Sequence, residues 1–221
     1  MTRPNSKPGH ALRELFEVLR LHYGPQHWWP GDSVFEIMVG AVLTQNTAWT
    51  NVERAIGNLK SHDLLFLDAI GRLGREELAQ LIRPAGYFNV KAQRLHNLCE
   101  FLQAQGGETS LSRMADGPLR ESLLGVNGVG PETADDIMLY AFERPVFVID
   151  AYTRRLFSRI GLIAGDESYE KLRSFFESNL ESNVDLFNEY HALIVRHGKN
   201  ICTKKPRCGE CCIRGHCAYF P

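Results

Sequence analysis

Little in this sequence points to a membrane or to a uniformly charged partner. Its 25 Lys and Arg are balanced by 26 Asp and Glu, a formal net charge of −1, so any surface for nucleic acid has to be local. No apolar run approaches the roughly 20 residues that span a bilayer. The opening "MTRPNSKPGHALREL" has no apolar core of the signal-peptide kind, so a cytoplasmic location without a membrane partner is expected. Repeats of solenoid period and low-complexity segments are missing. Strand-like sequence is confined to "PVFVI" at 145–149. Cysteine is scarce until the end: Cys99 stands alone and reads as a buried apolar residue, while the other five of six fall in the last twenty residues. In a reducing compartment such a cluster suggests a metal or cluster site rather than disulfides.

What is present is helical periodicity and enough apolar residue, 44%, to bury a core. Leu12, Leu15, Phe16 and Leu19 make one apolar face, stopped by Gly24-Pro25. Ser33 and Glu36 form a capping-box pattern ahead of "VFEIMVGAVL". Further helices are expected over 50–60, 75–82, 89–104 (with Asn89 as N-cap), 116–124, 131–142, 151–161, 168–180 and 184–197. The predicted fold class is all-α.

Three features carry chemistry. "GVNGVGPETADD" (125–136) sets three glycines before Pro131 and a helix, a turn that aims bare N–H groups and a helix N-terminus outward, suited to an anion. Asp150 stands between the extended run and the next helix, a position that an N-cap role alone would explain. "CTKKPRCGECCIRGHC" supplies Cys202, Cys208, Cys211 and Cys217 as C-x5-C-x2-C-x5-C, with Cys212 as an alternative to Cys211. Four thiolates can hold zinc or a [4Fe–4S] cluster, and zinc sites more usually use two close pairs.

In this order, "LLGVNGVGPETAD", "RPVFVIDAYTRRLFSRIG" and the cysteine run resemble the helix-hairpin-helix (HhH-GPD) DNA glycosylases of the endonuclease III superfamily. The resemblance runs from about Trp28 to Cys217. It implies two helical lobes: a barrel over 26–143 ending in the helix-hairpin-helix, and a second lobe from 1–25 plus 144–221 that carries the cluster loop (199–221), with Asp150 in the cleft between them. It further implies that the amides around Gly128 and Gly130 hold a DNA phosphate, a contact that positions without reading sequence. Asp150 matches the essential aspartate. Glu132, eighteen residues earlier, stands where lyase-competent members have a catalytic lysine. A carboxylate cannot form the Schiff base, so base release without strand cleavage is expected.

The same resemblance assigns Gln45 to the space left by a flipped nucleotide, Tyr87 to a wedge on the opposite strand, and Lys91 to the phosphates. "WWP", "LTQNTAW" and "VIDAYTRRL" look like the 3-methyladenine DNA glycosylase branch. Trp28, Trp29 and Trp49 would offer electron-rich faces to a cationic alkylated purine, with Tyr152 and His191 as pocket walls. The four cysteines would hold a [4Fe–4S] cluster, zinc being the second choice, and present Lys204, Lys205 and Arg207 to phosphates. The expected partner is double-stranded DNA containing damaged bases, bound by a monomer. Uracil, mismatched thymine and oxidised bases remain alternative substrates, and a non-catalytic lesion-binding protein is the alternative from another class.

Overall fold

Apolar residues spaced three and four apart become helices along most of the chain. The computed structural model describes residues 8–29 and 31–220, and in them the chain forms twelve α-helices and no strand. It divides into a terminal unit, built from the residues up to Trp28 with those from Pro145 onward, and a middle unit, Trp29–Arg144. Among the described residues no helix is long and apolar enough to cross a membrane.

The terminal unit opens with α1 (Pro8–Tyr23), whose buried Leu12, Leu15, Phe16 and Leu19 are the face set by the sequence. The middle unit then runs through α2 (Val34–Leu43), α3 (Trp49–Ser61), α4 (Leu67–Arg72), α5 (Arg75–Leu81), α6 (Phe88–Ala104), α7 (Glu108–Leu111), α8 (Asp116–Leu124) and α9 (Pro131–Asp136). A π-helical turn, Ile137–Ala141, extends α9. The short α4 and α7 were not legible from periodicity, because each spans too few residues to show a face.

Helix α2 is buried almost all round, from Phe35 to Leu43, as expected of a central helix. Ser33 caps it by accepting from the Glu36 amide at 3.1 Å. Glu36 does not complete the reciprocal box: its carboxylate accepts from the Asp32 amide at 3.1 Å and pairs with Lys60 of α3 at 2.7 Å. Asn89 is not a cap either. Helix α6 begins at Phe88, after Tyr87 in the left-handed region (φ 45°, ψ 31°), with no side-chain cap.

The chain returns to the terminal unit for α10 (Ala151–Ile160), α11 (Tyr169–Asn179) and α12 (Val184–Asn200), capped by Asp150, Ser168 and Asn183. Their core is aromatic: Phe147 stacks on Phe176 at 4.3 Å between centroids, and Phe157, Phe187 and Tyr190 close round them. Tyr190 donates to the Leu12 carbonyl at 2.8 Å and ties α12 to α1. The strand-like run at 145–149 forms no strand and joins no ladder, although Val146, Phe147, Val148 and Ile149 are buried. Side chains take its amides instead: Glu177 accepts from Phe147 N at 3.1 Å and Tyr169 Oη from Ile149 N at 3.4 Å.

Candidate active site and cysteine loop

In the middle unit, α8 and α9 are the arms of the glycine turn. Gly128 has φ 100°, and a Cβ there would run into the Arg94 side chain. Two independent reasons therefore require glycine at 128. Gly130 differs: its backbone is extended (φ −93°, ψ 179°) and a Cβ would meet no atom within 4 Å. Bidentate Arg120–Asp135 hydrogen bonds at 2.6 and 3.2 Å clamp α8 to α9, with Asp135 fully buried. Glu132 is exposed in the first turn of α9.

Gln45, just beyond α2, docks on this turn. Its Nε2 donates to Gly128 O and to Thr133 Oγ1, both at 2.9 Å, and its Oε1 accepts from Arg94. Neither Arg94 nor Thr133 announces this role in the sequence, because their meeting with Gln45 is a long-range one. Tyr87 is 73% exposed, and its left-handed backbone is a conformation that costs a non-glycine residue about 1–3 kcal/mol.

Lys91 overturns its expected place at the phosphates. It is buried (1% exposed), and its ammonium donates to Leu43 O, Thr47 Oγ1 and Ala85 O at 2.8, 2.7 and 2.9 Å. These oxygens lie at the end of α2 and in the turns before α3 and α6, so the lysine braces that corner from inside. Burial, with Arg94 nearby, pulls its pKa down to about 8. Lys91→Met should lower stability by about 2–4 kcal/mol, because the buried Leu43 and Ala85 carbonyls and the Thr47 hydroxyl each lose a charged donor. It should also leave the salt dependence of DNA binding unchanged, as thermal melting and a salt titration would show.

Trp28 belongs to the terminal unit, whereas Trp29 and Trp49 meet edge to face in the middle unit at 4.9 Å. Tyr140, which the sequence reading overlooked, lies at the same distance on Trp29. Trp29 also covers Gly40 of α2, where a Cβ would come within 3.3 Å of the indole.

In the terminal unit Asp150 heads α10, and its two carboxylate oxygens have different surroundings. Oδ1 accepts from Thr153 N at 2.7 Å and Thr153 Oγ1 at 2.8 Å. Oδ2 lies 3.6 Å from His191 Nε2 of α12, both residues being buried. Burial pushes the carboxyl up, but His191 and the Thr153 donors together outweigh it and hold the pKa below the usual carboxylate value. Tyr152 is half-buried, packed against Gly198 and carrying the Arg155 guanidinium 5.0 Å from its ring centroid.

Helix α12 leads into the cysteine loop, and α10 holds it through two arginines. Arg155 donates to Cys202 O at 2.7 Å and Gly198 O at 2.9 Å, and Arg159 to Thr203 O at 2.7 Å. Cys202, Cys208, Cys211 and Cys217 all line one pocket with Ile160, His197 and Ile213, while Cys212 is not among its lining residues. All five loop cysteines are free thiols. Among the described residues no three His, Cys, Asp or Glu side chains converge on a single ion position. Lys204, Lys205 and Arg207 are exposed on the loop, Arg207 also donating to Asn200 O at 3.1 Å and pairing with Glu210 at 3.4 Å.

Residues 39–182 match the model of the HhH-GPD superfamily of base excision DNA repair proteins, and the chain belongs to that family. It is a DNA N-glycosylase. A protein of Methanocaldococcus jannaschii that carries the provisional name of a DNA repair glycosylase is 47% identical, over 93% of this chain and 95% of its own. Endonuclease III of Sulfolobus acidocaldarius is 29% identical, over 85% of this chain and 83% of its own. Among solved structures, H. pylori 3-methyladenine DNA glycosylase (MagIII) bound to 1,N6-ethenoadenine superposes with a TM-score of 0.74 at 30% identity, covering 88% of this chain and 98% of its own. A trapped endonuclease III–DNA covalent intermediate shares the fold, with a TM-score of 0.83 at 21% identity over 96% of both chains.

Proposed function

We propose that this glycosylase is monofunctional and removes an alkylated purine, such as 3-methyladenine, from double-stranded DNA. The observation that carries the reading is the division of labour at Asp150. Thr153 holds Oδ1, so the carboxylate is fixed, ionised and left with Oδ2 for chemistry. Cleavage of an N-glycosidic bond builds positive charge on the deoxyribose, and a preorganised anion stabilises that charge. The same oxygen can orient the incoming water. No amine stands at position 132, so the sugar C1′ meets water rather than a lysine.

The preference for a cationic base rests on the packed Trp29, Trp49 and Tyr140 rings, whose faces attract positive charge, and on the MagIII likeness. Tyr152, His191 and Trp28 are the base-contacting residues proposed from the terminal unit. The target nucleotide would be flipped out of the duplex. Tyr87, exposed on a strained turn, is the proposed wedge. Gln45 fills the vacated space by exchanging its bonds to Gly128, Thr133 and Arg94 for bonds to DNA. The protein works as a monomer on damaged duplex.

Gly130 supports the phosphate reading, since among the described residues only its chain neighbours come within 4 Å of a Cβ placed there. Gly130→Val should leave the melting temperature unchanged and weaken duplex binding about tenfold, about the loss of one good phosphate hydrogen bond. Gly128→Ala should instead destabilise the fold itself by about 1–3 kcal/mol.

Cys202, Cys208, Cys211 and Cys217 line one pocket and carry no disulfide, and their four thiolates are the residues that would hold a [4Fe–4S] cluster. When bound, the cluster supplies four iron–thiolate bonds that fix the loop. Lys204, Lys205 and Arg207 then meet phosphates from a rigid frame, and affinity falls steeply with salt.

The test is free-base release from methylated duplex DNA, with borohydride trapping run in parallel. Released 3-methyladenine without a trapped covalent complex is expected. Release confined to uracil, mismatched thymine or oxidised bases would overturn the alkyl-purine assignment, and a trapped complex would overturn the monofunctional one.

A further inference from the structure

Two donors aim at sulfur in the cysteine pocket, and the proposed hydrolysis uses neither. Arg159 Nη1 of α10 lies 3.2 Å from Cys202 Sγ. His197 Nε2 of α12 lies 3.5 Å from Cys211 Sγ, and its Nδ1 lies 2.8 Å from Tyr23 Oη at the end of α1. His197 is fully buried, so its ring nitrogens have no recourse to bulk water. Tyr23 is itself held, with the Arg196 guanidinium 4.8 Å over its ring and Arg196 Nη1 donating to its carbonyl at 3.2 Å.

The proton positions follow from these contacts. A cysteine thiolate bound to iron can only accept, so Nε2 of His197 has to carry the proton. The Nδ1 lone pair then faces Tyr23, whose hydroxyl donates. One neutral tautomer satisfies both contacts, and Tyr23 is what selects it. Arg159 has several tasks, since it also donates to the Thr203 and Lys204 carbonyls at 2.7 and 3.2 Å. His197 has one: among the described residues its ring nitrogens meet the Tyr23 phenol and the Cys211 sulfur.

We propose that Tyr23 and His197 form an oriented hydrogen-bond relay that places an N–H···S bond on Cys211 and raises the reduction potential of the bound iron–sulfur cluster. This rests on the cluster reading given above. A donor pointed at a ligand sulfur favours the reduced state, which holds more negative charge on its sulfurs, and hydrogen bonds to sulfur are among the determinants of cluster potential. His197 and Tyr23 are positioning residues, without contact with DNA in this role.

The experiment uses the full chain purified anaerobically. Iron and acid-labile sulfide per chain are measured first, then the cluster potential by voltammetry, for wild type, His197→Gln, His197→Leu and Tyr23→Phe. Gln keeps an N–H near the Nε2 position and Leu keeps bulk without a donor. The expected result is full iron loading, a more negative potential in His197→Leu, a smaller shift of the same sign in Tyr23→Phe, and a near-wild-type value in His197→Gln. A wild-type potential in iron-loaded His197→Leu overturns the relay, as does a His197→Gln shift equal to that of His197→Leu. Should His197→Leu not retain iron, Tyr23→Phe decides, and an unchanged potential there overturns it. Wild-type protein with zinc, or without iron and sulfide, defeats the cluster reading itself, an outcome distinct from a loaded cluster that ignores His197.

Discussion

Asp150→Asn is expected to reduce base release at least about a thousandfold while the protein stays folded and binds DNA. The substitution separates two functions of one side chain. Asparagine is as good an N-cap as aspartate, so its carbonyl oxygen can keep the 2.7 and 2.8 Å bonds from Thr153, and α10 retains its start. What disappears is the negative charge at Oδ2, opposite His191. Melting temperature should therefore change little, and duplex affinity should hold or rise once an anion is removed. Single-turnover release from methylated duplex, with binding measured on the same samples, checks this. Activity within tenfold of wild type would mean that Asp150 is only a cap.

The pH dependence follows from the same carboxylate. Its pKa in the folded protein lies below the ordinary value, so the ionised form persists into acid, and both activity and the stability it contributes are lost as pH falls through that lowered value. Above the ordinary carboxylate pKa of about 3.9 the stabilisation is fully present. A release profile whose acid limb lies at or above that value would contradict the assignment.

The second large effect concerns the hairpin. Asp135→Ala should cost about 3–5 kcal/mol, because it leaves the largely buried Arg120 guanidinium without its bidentate partner. Arg120→Met combined with Asp135→Leu should cost far less, since it removes both charges and keeps the volume. Urea unfolding of the single and double variants separates the two. An equal loss in both would show that packing, and not the loss of one member of a buried ion pair, is at stake. The clamp spans α8 and α9, so any Asp135→Ala protein that folds should also bind duplex less well.

The sequence showed the residue types at the site more clearly than their neighbours. Gly128, Glu132, Asp150 and the four spaced cysteines stand in local motifs, where a turn, a helix start or a ligand spacing forces a residue type. Lys91 was misplaced because a lysine in a helix ordinarily reaches solvent. Only packing revealed three backbone and side-chain oxygens, from residues 43, 47 and 85, enclosing it. Arg94 and Tyr140 were missed for the same reason: the partners that give them meaning lie far away in the chain.

By itself the sequence determined the all-α class, most of the longer helices and the cap at Asp150, since periodicity and capping act over three or four residues. Strand-like composition at 145–149 was also local, but whether the run became a strand was not. With Glu177 and Tyr169 taking two of its amides, the segment lies buried without a ladder. Tertiary structure alone decided that Cys211 and not Cys212 faces the pocket, that Gln45 rests on the hairpin, and that Tyr23 meets His197 across 174 positions. Such meetings depend on which helix faces come together, and no spacing along the chain encodes that.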